Sequence, residues 1–144
     1  MESSYGLALK AAGAEVHEFE YFGDYQGEWV ARVTFEGQDG WVKGYYGSCS
    51  GCDAFEAELG YSLECSDHYE TPRDDCKSCQ EYQVKLAKFG REYLDDITQL
   101  DKLIVEMLES DYIGYDDKAM LKFLATRTER KFLRLKVAER LEKD

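Results

Sequence analysis

The amino-acid sequence predicts an α+β fold with an N-terminal three-stranded antiparallel β-meander, a zinc-knuckle-like loop region and a C-terminal antiparallel helical hairpin. Three observations predict it. A polar–apolar alternation begins near residue 15, cysteines cluster in mid-chain, and apolar residues recur every three or four positions in the second half. The 144 residues contain no linker rich in Gly, Ser or Pro, so we expect a single domain over 1–144. Within it we expect the β-meander at 15–47, the cysteine-rich region at 48–80 and two long helices over 74–144.

The alternation after residue 14 predicts three consecutive strands. Residues 1–14 are expected to form a weak helical or irregular arm, since they carry two glycines. In the first strand, strict alternation predicts two faces. These are His17, Phe19 and Tyr21 on one face, and Val16, Glu18, Glu20 and Phe22 on the other. In the second strand, the shared face is expected to hold Trp29, Ala31, Val33 and Phe35. Turn residues at 23–27 and 36–40 separate the strands, and the second turn precedes a third strand at 41–46. Such short turns connect neighbouring antiparallel strands.

The second half of the chain has helical periodicity. A capping-box spacing predicts a short helix from Asp53 to Leu59. Apolar residues at steps of three and four then predict one long helix from Asp74 to Met107, with any bend expected at Gly90. A last helix is expected from Asp116 to residue 141. Two long neighbouring helices with a short connection pack as an antiparallel hairpin, and their coiled-coil-like spacing leaves a homodimer through the long helix open.

Two C-x-x-C pairs, separated by 23 residues, predict a structural zinc site. The expected ligands are Cys49, Cys52, Cys76 and Cys79, with Cys65 and His68 as alternates. The second pair is expected at the N-terminus of the long helix, where the helix dipole favours thiolate. Two other interpretations stay open, namely buried cysteines that pack as small hydrophobic residues and an iron–sulfur cluster.

The charge balance argues against a generic nucleic-acid binder. Thirty acidic residues against eighteen basic ones give a net charge of −12 and a pI near 4.6. Residues 1–113 hold nine basic and twenty-four acidic side chains, whereas 114–144 hold nine basic and six acidic ones. The acidic surface either keeps the protein in solution or imitates DNA phosphates towards a basic partner.

The sequence also bears on the cellular compartment of the protein and on whether it contains known catalytic motifs. Five cysteines, an odd count, fit a reducing compartment. The apolar stretch 7–14 is interrupted by Lys10, so we expect neither a signal peptide nor a membrane span, and a cytoplasmic location. No phosphate-binding glycine loop or metalloprotease motif is present. Twenty aromatic residues are expected mainly in the core, with an interface role as the alternative.

The segment Tyr46–Phe55, with the sequence YGSCSGCDAF, follows a Gly-Asp-Tyr-Gln-Gly turn at 23–27. Over about Phe22 to Phe55 the chain resembles small uncharacterised proteins encoded by bacteriophages and related mobile elements. This resemblance implies a class of role, because small acidic phage proteins often inhibit host defence as anti-restriction or anti-CRISPR proteins. It implies no catalytic residues.

Together these features predict a non-enzymatic interaction protein, an inhibitor or DNA-mimic decoy of a host nucleic-acid-processing enzyme. The expected partner-binding residues are Glu18, Glu20, Asp24, Glu28, Asp95, Asp96 and Asp101. One alternative is a zinc-structured nucleic-acid-binding or regulatory protein that uses the basic C-terminal helix. The basic residues of that helix are Lys118, Lys122, Arg127, Arg130, Lys131, Arg134, Lys136 and Arg140. A third class is a small enzyme, whose sign would be a concave pocket lined by Tyr, His and carboxylates.

Overall fold

The computed structural model describes residues 4–47, 53–59, 73 and 75–143, except the side chains of 56–58. The elements in chain order are α1 (Ser4–Ala11), β1 (Glu15–Gly23), β2 (Gly27–Phe35), β3 (Gln38–Tyr46), α2 (Ala54–Leu59), α3 (Lys77–Leu94), α4 (Leu100–Leu108), α5 (Tyr115–Ala125) and α6 (Lys131–Lys143). The α+β class and the N-terminal meander are confirmed. The predicted zinc-knuckle-like loop lies largely outside the described residues.

The sheet is a simple antiparallel meander with the strand order β1-β2-β3. Glu36 and Gly37 form a two-residue turn between β2 and β3, and both have a positive φ, +50° and +78°. A turn with two such residues matches the right-handed twist of paired strands, which is why it joins neighbouring strands so tightly.

Both faces of the sheet are covered by helices. The predicted face of β2 is confirmed, because Trp29, Ala31 and Val33 are fully buried against α1 and α3. The opposite face, which includes Val30 and Trp41, packs against α4 and α5, and α6 packs on these two helices in the same core. The arm predicted as weakly helical is therefore α1, an integral part of one core.

The first strand contains a β-bulge that corrects its predicted faces. The pairing register with β2 shifts between Val16, which pairs with Val33, and Glu18, which pairs with Arg32. The extra residue, His17, reverses the alternation. Val16 therefore packs on the same core as Phe19, and not on the side of Glu18 as predicted.

The prediction of two long C-terminal helices is wrong, since four helices occupy this region. Helix α3 ends at Leu94, and Thr98 then pairs with the edge-strand residue Trp41 through two backbone hydrogen bonds of 2.8 and 3.0 Å. Ile97 packs on the core beneath α3, whereas Leu100 packs on the core of the opposite face. Apolar spacing continues across the break because the chain passes from one buried face of the sheet to the other.

Helix α3 continues through Gly90, and the glycine permits close packing of two helices. A Cβ atom added at Gly90 would overlap the carbonyl group of Ala8 in α1. The apolar stripe of α3, which includes Leu86 and Phe89, is buried inside the chain. None of the described helices is long and apolar enough to cross a membrane.

We expect Gly90→Ala to lower the free energy of unfolding by about 1–3 kcal/mol, because the added methyl group separates α1 from α3. In an unobstructed helix the same change is stabilising by up to about 1 kcal/mol, so the sign is diagnostic. Urea unfolding measures the difference. Gly114→Ala is the control, since its Cβ would lie no closer than 3.8 Å to the nearest neighbouring atom. A stability for Gly90→Ala equal to or above that of the wild type would contradict the close crossing.

Candidate functional site

A groove lies where the ends of β2 and β3 meet the start of α5. It consists of two adjoining cavities of about 300 and 360 Å³, and both are lined by Tyr45 and Asp117. The strand register sets this arrangement, because Glu28 of β2 pairs with Tyr45 of β3 and Gly27 pairs with Tyr46. We call the two cavities together the tyrosine–carboxylate groove, and define the larger one, beside Glu28 and Tyr115, as the Tyr115 pocket.

Exposed tyrosines border this groove. Tyr45 is 66% exposed, and the side chains of Tyr112 and Tyr115, in and just after the loop before α5, are 81% and 88% exposed. Tyr25 in the β1–β2 turn is 85% exposed but lines neither cavity. Exposed rings of this kind supply large, rigid contact areas to a partner, and their hydroxyl groups tolerate water when no partner is bound.

A carboxyl pair forms the floor of the groove. Glu28 is only 5% exposed and its side chain is hydrogen-bonded to Asp117. The Nζ atom of Lys43 lies 3.9 Å from Oε1 of Glu28. Asp117 also accepts a hydrogen bond of 3.0 Å from the backbone N–H of Gly114, at the N-terminus of α5. Two elements that are distant in sequence are thus joined by one polar contact.

The pair divides its protonation unequally. Burial, followed by the hydrogen bond and the negative charge of Asp117, raises the pKa of Glu28 to about 8. The hydrogen bonds from Glu28 and from Gly114 lower the pKa of Asp117. At neutral pH the pair therefore holds one proton and one negative charge.

The groove has a negative potential beyond this pair. Burial and the nearby carboxylates of Asp116 and Asp24 raise the pKa of Tyr46, whose hydroxyl donates a 3.4 Å hydrogen bond to the backbone carbonyl of Asp24. Among the described residues, no cation lies within ion-pair distance of Asp116. The groove is consequently suited to positively charged groups.

The predicted acidic binding residues differ in their surroundings. Glu18 forms a 2.7 Å ion pair with Arg127, and Asp101 forms a 3.0 Å ion pair with Arg130. These two carboxylates are thus already paired with cations of the same chain. Asp95 lies 3.2 Å from Arg91 on the same helical segment. Glu20, Asp24 and Asp96 are exposed, whereas Glu28 is buried in the groove.

No sequence pattern singles out Asp117 or Tyr115, although both line the groove. The available signal is the run Gly-Tyr-Asp-Asp at 114–117, which is a polar helix start. Asp117 lies close to Glu28, 89 positions earlier in the chain, because of tertiary packing. No local sequence pattern predicts this contact. Asp116 is predicted only as a helix cap.

The second cysteine pair lies where the sequence predicts it. Cys76 directly precedes α3 and is half-buried, and Cys79 in the first turn is 4% exposed. Cys49, Cys52, Cys65 and His68 lie outside the described residues. In the part of the chain that the structure describes, no group of three candidate ligands is assembled. Near the first pair, Asp53 is buried and accepts hydrogen bonds from Tyr5 Oη at 2.5 Å and Gly47 N–H at 3.0 Å.

The arginines of the basic C-terminal segment bind within the protein. Besides the ion pairs of Arg127 and Arg130, Arg134 donates to the Thr128 carbonyl at 2.7 Å. Arg140 donates to the carbonyls of Leu108 and Ser110 at 3.0 and 2.7 Å. These contacts reduce the number of cations that this segment offers to phosphate groups.

Neither protein-family models, nor curated proteins, nor solved structures give a match to this chain.

We expect Glu28→Gln to stabilise the fold more at pH 9 than at pH 5. The unfolded chain releases the Glu28 proton near pH 4.5, whereas the folded protein retains it up to about pH 8. The stability contributed by Glu28 therefore falls as the pH rises between these values. Glutamine does not ionise and still donates to Asp117, so the stability of the variant relative to the wild type should rise by about 4 kcal/mol between pH 5 and pH 9.

Urea unfolding of both proteins at the two pH values measures this difference. Glu20→Gln, which changes an exposed carboxylate on the neighbouring strand, is the matched control. An equal effect of Glu28→Gln at pH 5 and pH 9 would show that the folded protein does not retain this proton.

Proposed function

We propose that this protein is a non-enzymatic acidic interaction protein that binds a basic surface of a protein partner. The observation that carries the proposal is the tyrosine–carboxylate groove, where exposed Tyr45, Tyr112 and Tyr115 border the carboxyl groups of Glu28, Asp116 and Asp117. Aromatic anchors combined with complementary charge are the features that give protein interfaces their affinity and association rate.

The partner class proposed is a nucleic-acid-processing enzyme, which the protein would inhibit as a DNA-mimic decoy. A net charge of −12 disfavours DNA itself as the ligand and attracts the basic channels that DNA occupies. The resemblance of Tyr46–Phe55 to phage-encoded proteins supports an anti-defence role within this class. The internal engagement of Arg127, Arg130, Arg134 and Arg140 makes direct nucleic-acid binding by the C-terminal segment the weaker choice.

A small acid–base enzyme is the second candidate, and one observation favours it. The groove is concave, and its carboxyl pair has pKa values displaced in opposite directions, as in many catalytic pairs. Two contacts rank it lower. Glu28 is 5% exposed and bonded directly to Asp117, and Asp117 also bonds the first turn of α5, so neither carboxyl is presented freely to a substrate.

A partner-capture experiment tests the interaction. The tagged protein is immobilised, exposed to a nuclease-treated bacterial lysate at low salt, and eluted with duplex DNA before mass spectrometry. We expect DNA to displace nucleic-acid-binding enzymes from the wild type, because both compete for the same basic surface. Removal of two groove rings by Tyr112→Ala and Tyr115→Ala should abolish retention.

The matched control is Tyr25→Ala combined with Phe132→Ala, since these side chains are 85% and 67% exposed outside the groove. This control should retain the same enzymes as the wild type. Equal retention by the groove variant, or retention that duplex DNA does not reverse, would contradict the proposal.

The structural zinc is proposed as part of the same protein, with Cys76 and Cys79 joined by Cys49 and Cys52. The burial of Cys79 and the location of Cys76 at the start of α3 support it. Zinc would tie the end of the sheet region to the helical half and so keep the chain rigid for binding.

Metal analysis of protein purified without chelator should give about one zinc per chain. The double variant Cys76→Ser, Cys79→Ser should lose the metal and unfold at lower urea concentration, whereas Ser78→Ala, between the two cysteines, should retain it. A wild-type content below roughly one zinc per five chains would rule out the structural site. Visible absorption with bound iron would instead identify an iron–sulfur cluster.

A further inference from the structure

The Tyr115 pocket has a composition unlike the rest of the groove. Three tyrosines, Tyr45, Tyr46 and Tyr115, and three carboxyl groups, Glu28, Asp116 and Asp117, contribute to its wall. No basic side chain is among the described residues that line it. Its volume of about 360 Å³ is sufficient for the end of one long side chain.

We propose that the Tyr115 pocket binds the guanidinium group of an arginine presented by the partner. This inference rests on the proposed function, because it identifies which chemical group of the basic surface the groove recognises. A planar guanidinium stacks on aromatic rings and forms paired hydrogen bonds with carboxylates, whereas a lysine ammonium offers only a compact charge.

The chain itself contains this combination elsewhere. The guanidinium of Arg127 lies 3.6 Å from the centroid of the Phe123 ring and donates to Glu18 Oε1 at 2.7 and 3.0 Å. One ring and one carboxylate thus contact the guanidinium, which also donates to the Phe123 carbonyl and the Thr126 hydroxyl. The Tyr115 pocket provides the same two kinds of group in larger number, without an arginine of its own among its described lining residues.

The charges around the pocket favour an incoming cation. Asp116 and Asp117 both line it, and the hydrogen bonds from Glu28 and Gly114 lower the pKa of Asp117. Lys43 lines the neighbouring cavity, with its Nζ atom 3.9 Å from Oε1 of Glu28. Lys43 also lies 5.9 Å from the centroid of the Tyr45 ring, so this ring already interacts with a cation. A guanidinium between Tyr115 and Asp116 would compensate charge that the described residues leave unpaired.

Arginine binding is expected to displace the proton held by Glu28. The charged groups that face Glu28 are Asp117 and Asp116 from α5 and Lys43 from β3. A new positive charge beside them favours the ionised form of Glu28 and lowers its pKa from about 8. Affinity for arginine should therefore increase as the pH rises from 6 to 9, over which arginine itself stays fully charged.

The test uses a fluorescent peptide of alternating Arg and Gly with blocked ends, titrated with the full-length protein at constant ionic strength. A peptide with citrulline in place of arginine has the same shape but no positive charge. A lysine peptide has the positive charge but lacks the planar pair of N–H donors. We expect the arginine peptide to bind about tenfold more tightly than either. Its affinity should rise by up to about tenfold between pH 6 and pH 9, which corresponds to one unit of pKa change.

Variants locate the site. Tyr115→Ala and Asp116→Asn should each weaken arginine-peptide binding about fivefold. The controls are Tyr25→Ala, which removes a ring as exposed as that of Tyr115, and Asp96→Asn, which removes an exposed carboxylate charge outside the pocket; neither should have an effect. Glu28→Gln should lose the increase of affinity with pH.

The opposite results would overturn the inference. Equal binding of the arginine and citrulline peptides, equal weakening by the controls, or a persistent pH increase in Glu28→Gln would each contradict it. Equal binding of the lysine peptide would overturn the specificity for guanidinium. Failure of the peptide alone, with DNA-reversible partner retention intact, would reject the arginine pocket and leave the proposed function standing. Peptide binding without any partner retention would reject the proposed function instead.

Discussion

The structure depends on the need to bury both faces of its central strand. Trp29, Ala31 and Val33 of β2 are fully buried on one face and Val30 is fully buried on the other, so neither face can meet water. A three-stranded sheet has too little area to satisfy this alone. Helices must therefore cover it from both sides, and the chain has to pass around an edge of the sheet to place them.

The passage around the edge determines where the groove forms. Residues 95–99 turn beside β3, where the backbone pairing of Thr98 with Trp41 blunts an otherwise open strand edge. The chain then builds α4 and reaches the other face, and α5 begins next to the ends of β2 and β3. At that point the helices do not cover the end of the sheet completely. Glu28 of β2 and Asp117 of α5 are joined there by a hydrogen bond. The groove thus forms where α5 begins to cover the second face of the sheet.

Much of the sheet was predictable because each strand carries its own information. Alternation alone identifies the three strands and the buried face of β2. Alternation fails at His17, where one bulged residue reverses the pattern. Helical spacing fails at Ile97, where the apolar spacing persists although the backbone is no longer helical. The failure at Ile97 has a general cause. Periodicity reports which side chains face a core, and two cores on opposite faces of one sheet can share a single continuous pattern.

The acidic character was also predictable, but its distribution was not. Glu18 and Asp101 belong to ion pairs with Arg127 and Arg130, partners that lie 109 and 29 positions away. Contacts at such separations are set by tertiary packing and leave no local signal. Among the tyrosines, exposure differs just as widely, since Tyr5 is buried and Tyr115 is almost fully exposed.

This internal pairing bears on how the protein interacts. The arginines of the C-terminal segment pair with carboxylates or donate to carbonyl groups inside the fold, which leaves exposed carboxylates such as Asp24 and Asp96 to dominate the outer field. Charges at the surface attract partners over about 8–10 Å in physiological salt, whereas the tyrosines act only on contact. The acidic field would therefore set how fast a basic partner arrives, and the rings of the groove would set how long it stays.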